Sequence, residues 1–240
     1  MGRILSSIGI GAATVDTVLP TPELHPGDTV RVDVELTGGD AAQEIEGIDF
    51  VLEARVESGG EHVLAETEVE RSVSLSPGEE RTIPVDVDVP LWTPVSTDGV
   101  SVWLETRLEI DWARDPTDED EVDVVPDAFV SALFDAIDDL GFALRGTDVV
   151  EVPHVEDRPI AQRFHFEPAD GQYESELDAL EVTVMPRADD LRLFVEFDRA
   201  GTIADDHDMD FDKQEVSMTI GRPSVPAIRR RIVAGIKKNA

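Results

Sequence analysis

The chain has 240 residues, 41% hydrophobic and 30% charged, enough apolar material for one large core or two modest ones and too much for a disordered chain. Its 53 Asp and Glu against 20 Lys and Arg give a net charge of −33, which argues against tracking of phosphate backbones, so no nucleic-acid partner is expected. Cysteine is absent, which excludes disulfides, thiol nucleophiles and cysteine-ligated metals.

Met1 to Ala13 carries one Arg, scattered aliphatics and several glycines, too weakly apolar a stretch for a secretory core, and no segment approaches the roughly 18 apolar residues of a spanning helix. The expected location is the cytoplasm. Gly9-Ile10-Gly11-Ala12-Ala13-Thr14 partly matches a dinucleotide fingerprint, but Thr14 stands where Gly or Ala is needed and a strand follows, so no cofactor is expected. Val30, Val32, Val34 and Leu36 then alternate with Arg31, Asp33 and Glu35, the period of a half-buried strand. The same rhythm recurs over Ile48–Val56, Ile83–Val89 and Val100–Ile110, and predicts antiparallel sheets. His25-Pro26-Gly27-Asp28, Gly38-Gly39-Asp40 and Ser76-Pro77-Gly78-Glu79 supply the turn chemistry for their corners.

At Pro126 the period changes. Phe129, Leu133, Ile137 and Leu140 fall on one helical face, Asp127 is placed to cap the start, and Gly141 to end the helix in a left-handed conformation. Alternation returns at Leu180–Val184, Leu191–Phe197 and Val216–Ile220. After Pro223, Ile228, Ile232 and Ile236 repeat every four residues among Arg229, Arg230, Arg231, Lys237 and Lys238, the pattern of a short amphipathic basic helix. Residues 222–240 hold 6 basic residues and no acid, which leaves 14 basic against 53 acidic residues up to Gly221, a net −39.

Several separated segments resemble the sporulation-control family of arrestin-like proteins, the stage-zero M group, in a haloarchaeal type. They are Gly11–Leu19, the Pro26-Gly27-Asp28 corner, Ser76–Glu80 leading into Ile83-Pro84, Pro90–Ser96, Ser101–Asp111 with Asp115–Asp118, Asp135–Phe142, and Leu177–Glu181 with Val184. The resemblance runs nearly to Arg199. It implies an all-β fold of two tandem arrestin-like (immunoglobulin-like) β-sandwiches, an interaction-based regulatory role, and no catalytic residue or cofactor. The expected organisation is a first sandwich over 1–126, a connecting helix over 127–141, a second sandwich over 142–221 and a basic amphipathic tail over 222–240.

Candidate chemistry is sparse. The acidic run Asp205–Asp212 lacks the Gly and the bidentate Glu of a calcium loop, since Lys213 and Thr219 stand at those positions, so a solvated loop is expected. Asp115, Asp118, Glu119 and Asp120 form a carboxylate cluster in a loop that would attract hydrated cations, without a specific metal site. His25, His62, His154, His165 and His207 are scattered, with no His-x-x-x-His pair. Of Trp92, Trp103 and Trp112, Trp103 shares parity with Ser101, Glu105 and Arg107 rather than with the aliphatic face. An outward indole would anchor a partner or stack on a sugar, unless the second domain or the connecting helix covers it.

The functional expectation is therefore a non-enzymatic adaptor in a high-salt cytoplasm that binds an unidentified protein, by strand-edge pairing first. Two alternatives stand beside it. One is a membrane-surface protein whose tail inserts Ile228, Ile232 and Ile236 at the headgroup boundary. The other is a carbohydrate-binding module built on Trp103. The high-salt setting rests on charge: lysine occurs only at 213, 237 and 238 while arginine is retained, as in organisms that accumulate salt.

Overall fold

The computed structural model describes residues 12–57, 60–110, 115–152, 159–169, 171–199 and 214–239. Residues 9–11 of the Gly-rich segment, Trp112, His154, His207 and the 205–212 run lie outside them. The chain divides into one unit of residues 1–96 and 101–125 and a second of residues 97–100 and 126–240.

The first unit contains β1 (Thr14–Val18), β2 (Glu23–Leu24), β3 (Thr29–Thr37), β4 (Gln43–Val56), β5 (Glu61–Leu75), β6 (Glu80–Asp88), β7 (Val100–Ile110) and β8 (Thr117–Val124). They form a three-stranded sheet in the order β1-β3-β6 and a five-stranded sheet in the order β2-β8-β7-β4-β5. The alternating apolar positions become the core: Val32, Val34 and Leu36 from one sheet, and Ile48, Phe50, Leu52, Val102, Leu104 and Leu108 from the other, are buried. Each such side chain contributes about 1.5–3 kcal/mol by leaving water. The Pro-Gly corners adopt the expected form, because Gly27 and Gly78 take φ of 90° and 68° after a proline. Asp28 N donates to His25 O at 3.1 Å and Glu79 N to Ser76 O at 3.0 Å, closing both turns.

The second unit contains α1 (Ala128–Asp138), β9 (Phe142–Glu151), β10 (Ile160–Pro168), β11 (Leu177–Pro186), β12 (Leu191–Arg199), β13 (Gln214–Ile220) and α2 (Val225–Asn239). Its five strands pair antiparallel in the order β13-β12-β11-β10-β9. Asp127 caps α1 by accepting from Val130 N at 2.8 Å, and Gly141 follows its end at φ 79°. The buried stripe of α1 runs through Val130, Leu133 and Ile137 rather than through Phe129.

The all-β class holds, since the described residues are mostly strand, with two helices among them. In the second unit, however, the layer opposite the sheet is helical among the described residues. Phe134 of α1 meets Phe164 edge-on with centroids 4.9 Å apart, and Gly235 of α2 lies directly against Phe197. Both helices thus group with the second unit, instead of forming a connector and a separate tail, because each turns a stripe of aliphatics onto the sheet.

Candidate functional site

Trp103 stands on β7 at the outward parity expected from its neighbours, and it is half-buried. Its partners come from its own sheet. The indole Nε1 donates to Ser101 Oγ at 3.0 Å, two residues along the same strand face. The Arg55 guanidinium, from β4 beside it in the sheet, lies 4.5 Å from the ring centroid. Arg55 is held in turn by three carboxylates: its Nε donates to Glu53 Oε1 at 2.7 Å and its Nη2 to Glu119 Oε2 at 3.2 Å, while Glu61 stands 3.8 Å away. Partial burial opposes the Arg55 charge, but the bonds to Glu53 and Glu119 outweigh it and keep the guanidinium protonated.

This arrangement fixes a planar cation over an aromatic ring on the outward-parity face of the sheet. It also occupies a ring face that a stacked sugar would need, which disfavours the carbohydrate reading. Further along the same face, Arg107 pairs with Glu105 at 2.5 Å. Arg55 was not singled out from sequence. The available signal was its parity, since Arg55 lies opposite the buried set Phe50, Leu52, Ala54 and Val56, but only strand pairing brings it to Trp103.

The carboxylates of β8 are a correction. Asp115, Asp118, Glu119 and Asp120 do not form one cluster in a loop, because residues 117–124 are a strand whose period of two separates them. Glu119 faces outward to Arg55, whereas Asp115 precedes the strand and accepts from Ile110 N at 3.2 Å. Asp118 is turned inward and is 7% exposed. It accepts from Thr17 N on β1 at 2.7 Å, and the Thr17 hydroxyl donates to Thr106 Oγ1 at 2.7 Å. That bond joins the two sheets of the first unit and caps the open edge of β1. No group of three His, Asp or Glu side chains is arranged to hold a metal ion among the described residues.

Burial pushes the Asp118 carboxyl up, against the hydrogen bonds it accepts from the backbone N–H groups of Thr17 and Glu119. Burial together with the charges of Asp118 and Asp16 pushes Asp120 up to about 6. A protonated Asp120 donates to Asp118, and its Oδ2 is buried without a hydrogen-bond partner. Because the folded state binds this proton more tightly than the unfolded chain, stability falls as pH rises from about 4 to about 6 and stays at the lower value above that. Replacement of Asp120 by Asn keeps a donor toward Asp118 and removes the titration. D120N is expected to be about 1 kcal/mol more stable at pH 7.5, after discounting for the water that reaches this half-exposed group. Thermal melts between pH 4 and 7.5 check it, and an unchanged pH slope in the variant would refute it.

The tail residues divide into two groups. Ile228, Ile232 and Ile236 are 0, 0 and 1% exposed. They are core, and their insertion into a membrane would require α2 to leave the sheet. Arg229, Arg230, Arg231, Lys237 and Lys238 are exposed on the remaining surface of the helix. Arg231 donates to the carbonyl of Thr219 on β13, Arg230 Nε to Pro226 O at 3.3 Å, and Arg229 stands 3.9 Å from Asp139.

Comparison with known proteins agrees with this β architecture. Residues 1–201 match the Spo0M family model, described as SpoOM protein. The sporulation-control protein Spo0M of Bacillus subtilis is 35% identical over 205 residues, covering 82% of this chain and 80% of that protein. The chain belongs to the Spo0M family. The crystal structure of B. subtilis Spo0M superposes with a TM-score of 0.81 at 28% identity, over 96% of this chain and 100% of that one. The match therefore covers the sheets that carry the Arg55–Trp103 stack. The family model ends at residue 201, before α2.

Proposed function

We propose that this Spo0M family member is a non-enzymatic adaptor of a high-salt cytoplasm, and that it binds a protein partner through the outer face of the five-stranded sheet around Trp103 and Arg55. The observation that carries the reading is the Arg55–Trp103 stack, a partly exposed aromatic and a planar cation held by Ser101, Glu53 and Glu119. Trp and Arg dominate binding energy at protein interfaces because they pair large contact area with fixed donors, and here both are pre-oriented. Two strand edges are less available for pairing. Asp118 caps the Thr17 N–H on β1, and Arg231 occupies the Thr219 carbonyl on β13. Sheet-face docking is accordingly favoured over strand addition.

The test is affinity capture from the native lysate in molar potassium chloride, with wild type and Trp103→Ala side by side. A specific protein recovered by wild type should bind the variant roughly thirtyfold more weakly, the effect of losing a central aromatic anchor worth about 2 kcal/mol. Equal affinity for both, with the variant folded, removes this face from the interaction.

A further inference from the structure

We propose that the outward face of α2 is a docking surface for an anionic lipid bilayer, used with the helix still seated on its sheet. The helix places two demands on its sequence and separates them by angle. Ile228, Ile232, Gly235 and Ile236 are buried and cluster on one side, where Gly235 permits close approach to Phe197. At 100° per residue, Arg230 and Lys237 project from the opposite side, with Arg229 on one flank and Arg231 and Lys238 on the other. The flanking arginines are tied to the second unit through Asp139 and the Thr219 carbonyl. Arg230 and Lys237 remain outermost, with Lys238 exposed beside Arg231.

Charge makes this surface exceptional within its own chain. Two of the three lysines in the whole sequence lie here, and residues 222–240 contain no acid although the chain carries −33. An exposed helix in an acidic protein would ordinarily carry carboxylates on such a face. The occupant that fits is an extended array of anions. The helix surface is convex, its isoleucines are committed to the core and only the half-buried Val233 stands among the cations, so it lacks the aromatic hot spot a protein partner needs. The acidity of the remaining chain opposes any polyanion, but salt screens it beyond the contact itself, and a duplex would need phosphate contacts from more of the chain than this one helix. A bilayer rich in anionic headgroups supplies the complementary charge, and each contacting Lys or Arg strengthens binding severalfold. Because nothing inserts, the contact is peripheral, and in molar salt, where screening is about 3 Å, it rests on direct cation–headgroup contacts rather than on a long-range field.

This inference is independent of the sheet-face reading. It is tested by vesicle flotation of the full chain at the lowest potassium chloride concentration at which circular dichroism shows it folded. Vesicles of phosphatidylglycerol and phosphatidylcholine should carry the protein up, and vesicles of phosphatidylcholine alone should not. R230Q/K237Q/K238Q, which leaves the buried face untouched, should lower partitioning at least tenfold, whereas K237R/K238R should retain it. Excess inorganic phosphate at constant ionic strength should leave binding in place, because a surface and not a single phosphate is recognised. Equal binding to both vesicle types, equal binding by the triple variant, displacement by inorganic phosphate, or no flotation at all would each overturn the proposal.

Discussion

Removal of residues after Gly221 is expected to unfold the second unit rather than to yield a body without its tail. Ile228, Ile232 and Ile236 are essentially inaccessible to water, and Gly235 sits so close to Phe197 that an added Cβ would lie 2.5 Å from the ring Cζ. α2 is therefore part of the layer that covers the sheet. Ile232→Ala alone should cost about 2–5 kcal/mol, the transfer energy of the lost atoms plus the cavity they leave. Gly235→Ala gives a sharper comparison, because helix propensity by itself favours Ala by about 1 kcal/mol. Phe197 is 0% exposed, so its ring has little room to yield, and overpacking of this kind costs about 1–3 kcal/mol. The steric term should win, and the substitution should destabilise. Urea melts followed by far-ultraviolet circular dichroism measure all three changes. A truncated chain that melts like the full one would show that α2 contributes nothing to the second unit.

The same helix shows where sequence reasoning stops. Its period of four and its basic residues are plain in the sequence, and so is its length. What faces the isoleucines is not, because a stripe of aliphatics is equally suited to a sheet and to a headgroup boundary; only the position of Phe197 decides. Strands with clean alternation, at 29–37, 80–88 and 100–110, are legible because the inward face is aliphatic almost throughout, Thr106 being the buried exception. β8 is not, since Asp118 and Asp120 stand at inward positions where the pattern calls for apolar residues, and Glu119 and Glu121 continue the acidic run outside. Read along the sequence, that stretch is a solvated loop; read across the sheet, Thr17 and Thr106 supply the polar partners that let a carboxylate turn inward. Trp103 was legible by parity, whereas Arg55 required knowledge of which strand lies next to β7. Local pattern thus placed the outward indole, and tertiary pairing brought Arg55 to it.

Dilution of potassium chloride from molar concentration to about 0.1 M is expected to unfold the protein, with loss of the β signal in circular dichroism. The outer sheet face shows why. Glu109 on β7 is pushed above the usual carboxylate range, first by Asp49, with slight desolvation, and then by Glu68, Glu46 and Asp115, so like charges crowd one another on adjacent strands. Arg107 and Arg55 answer only part of that charge, through Glu105, Glu53 and Glu119. In molar salt the screening length is about 3 Å, shorter than the spacing between strands, and the repulsion is confined to contacts. At about 0.1 M it grows to about 10 Å, so each carboxylate senses two strands on either side, and a net charge of −33 acts against the compact state. Charge-reducing changes on this face, such as E109Q with E68Q, should move the unfolding midpoint to lower salt. Sodium sulfate, which strengthens apolar burial as well as screening, should hold the fold at a lower concentration than the chloride. A chain that keeps its full signal at 0.1 M would instead have a core strong enough to withstand its own charge, and the acidic surface would then need another explanation than salt.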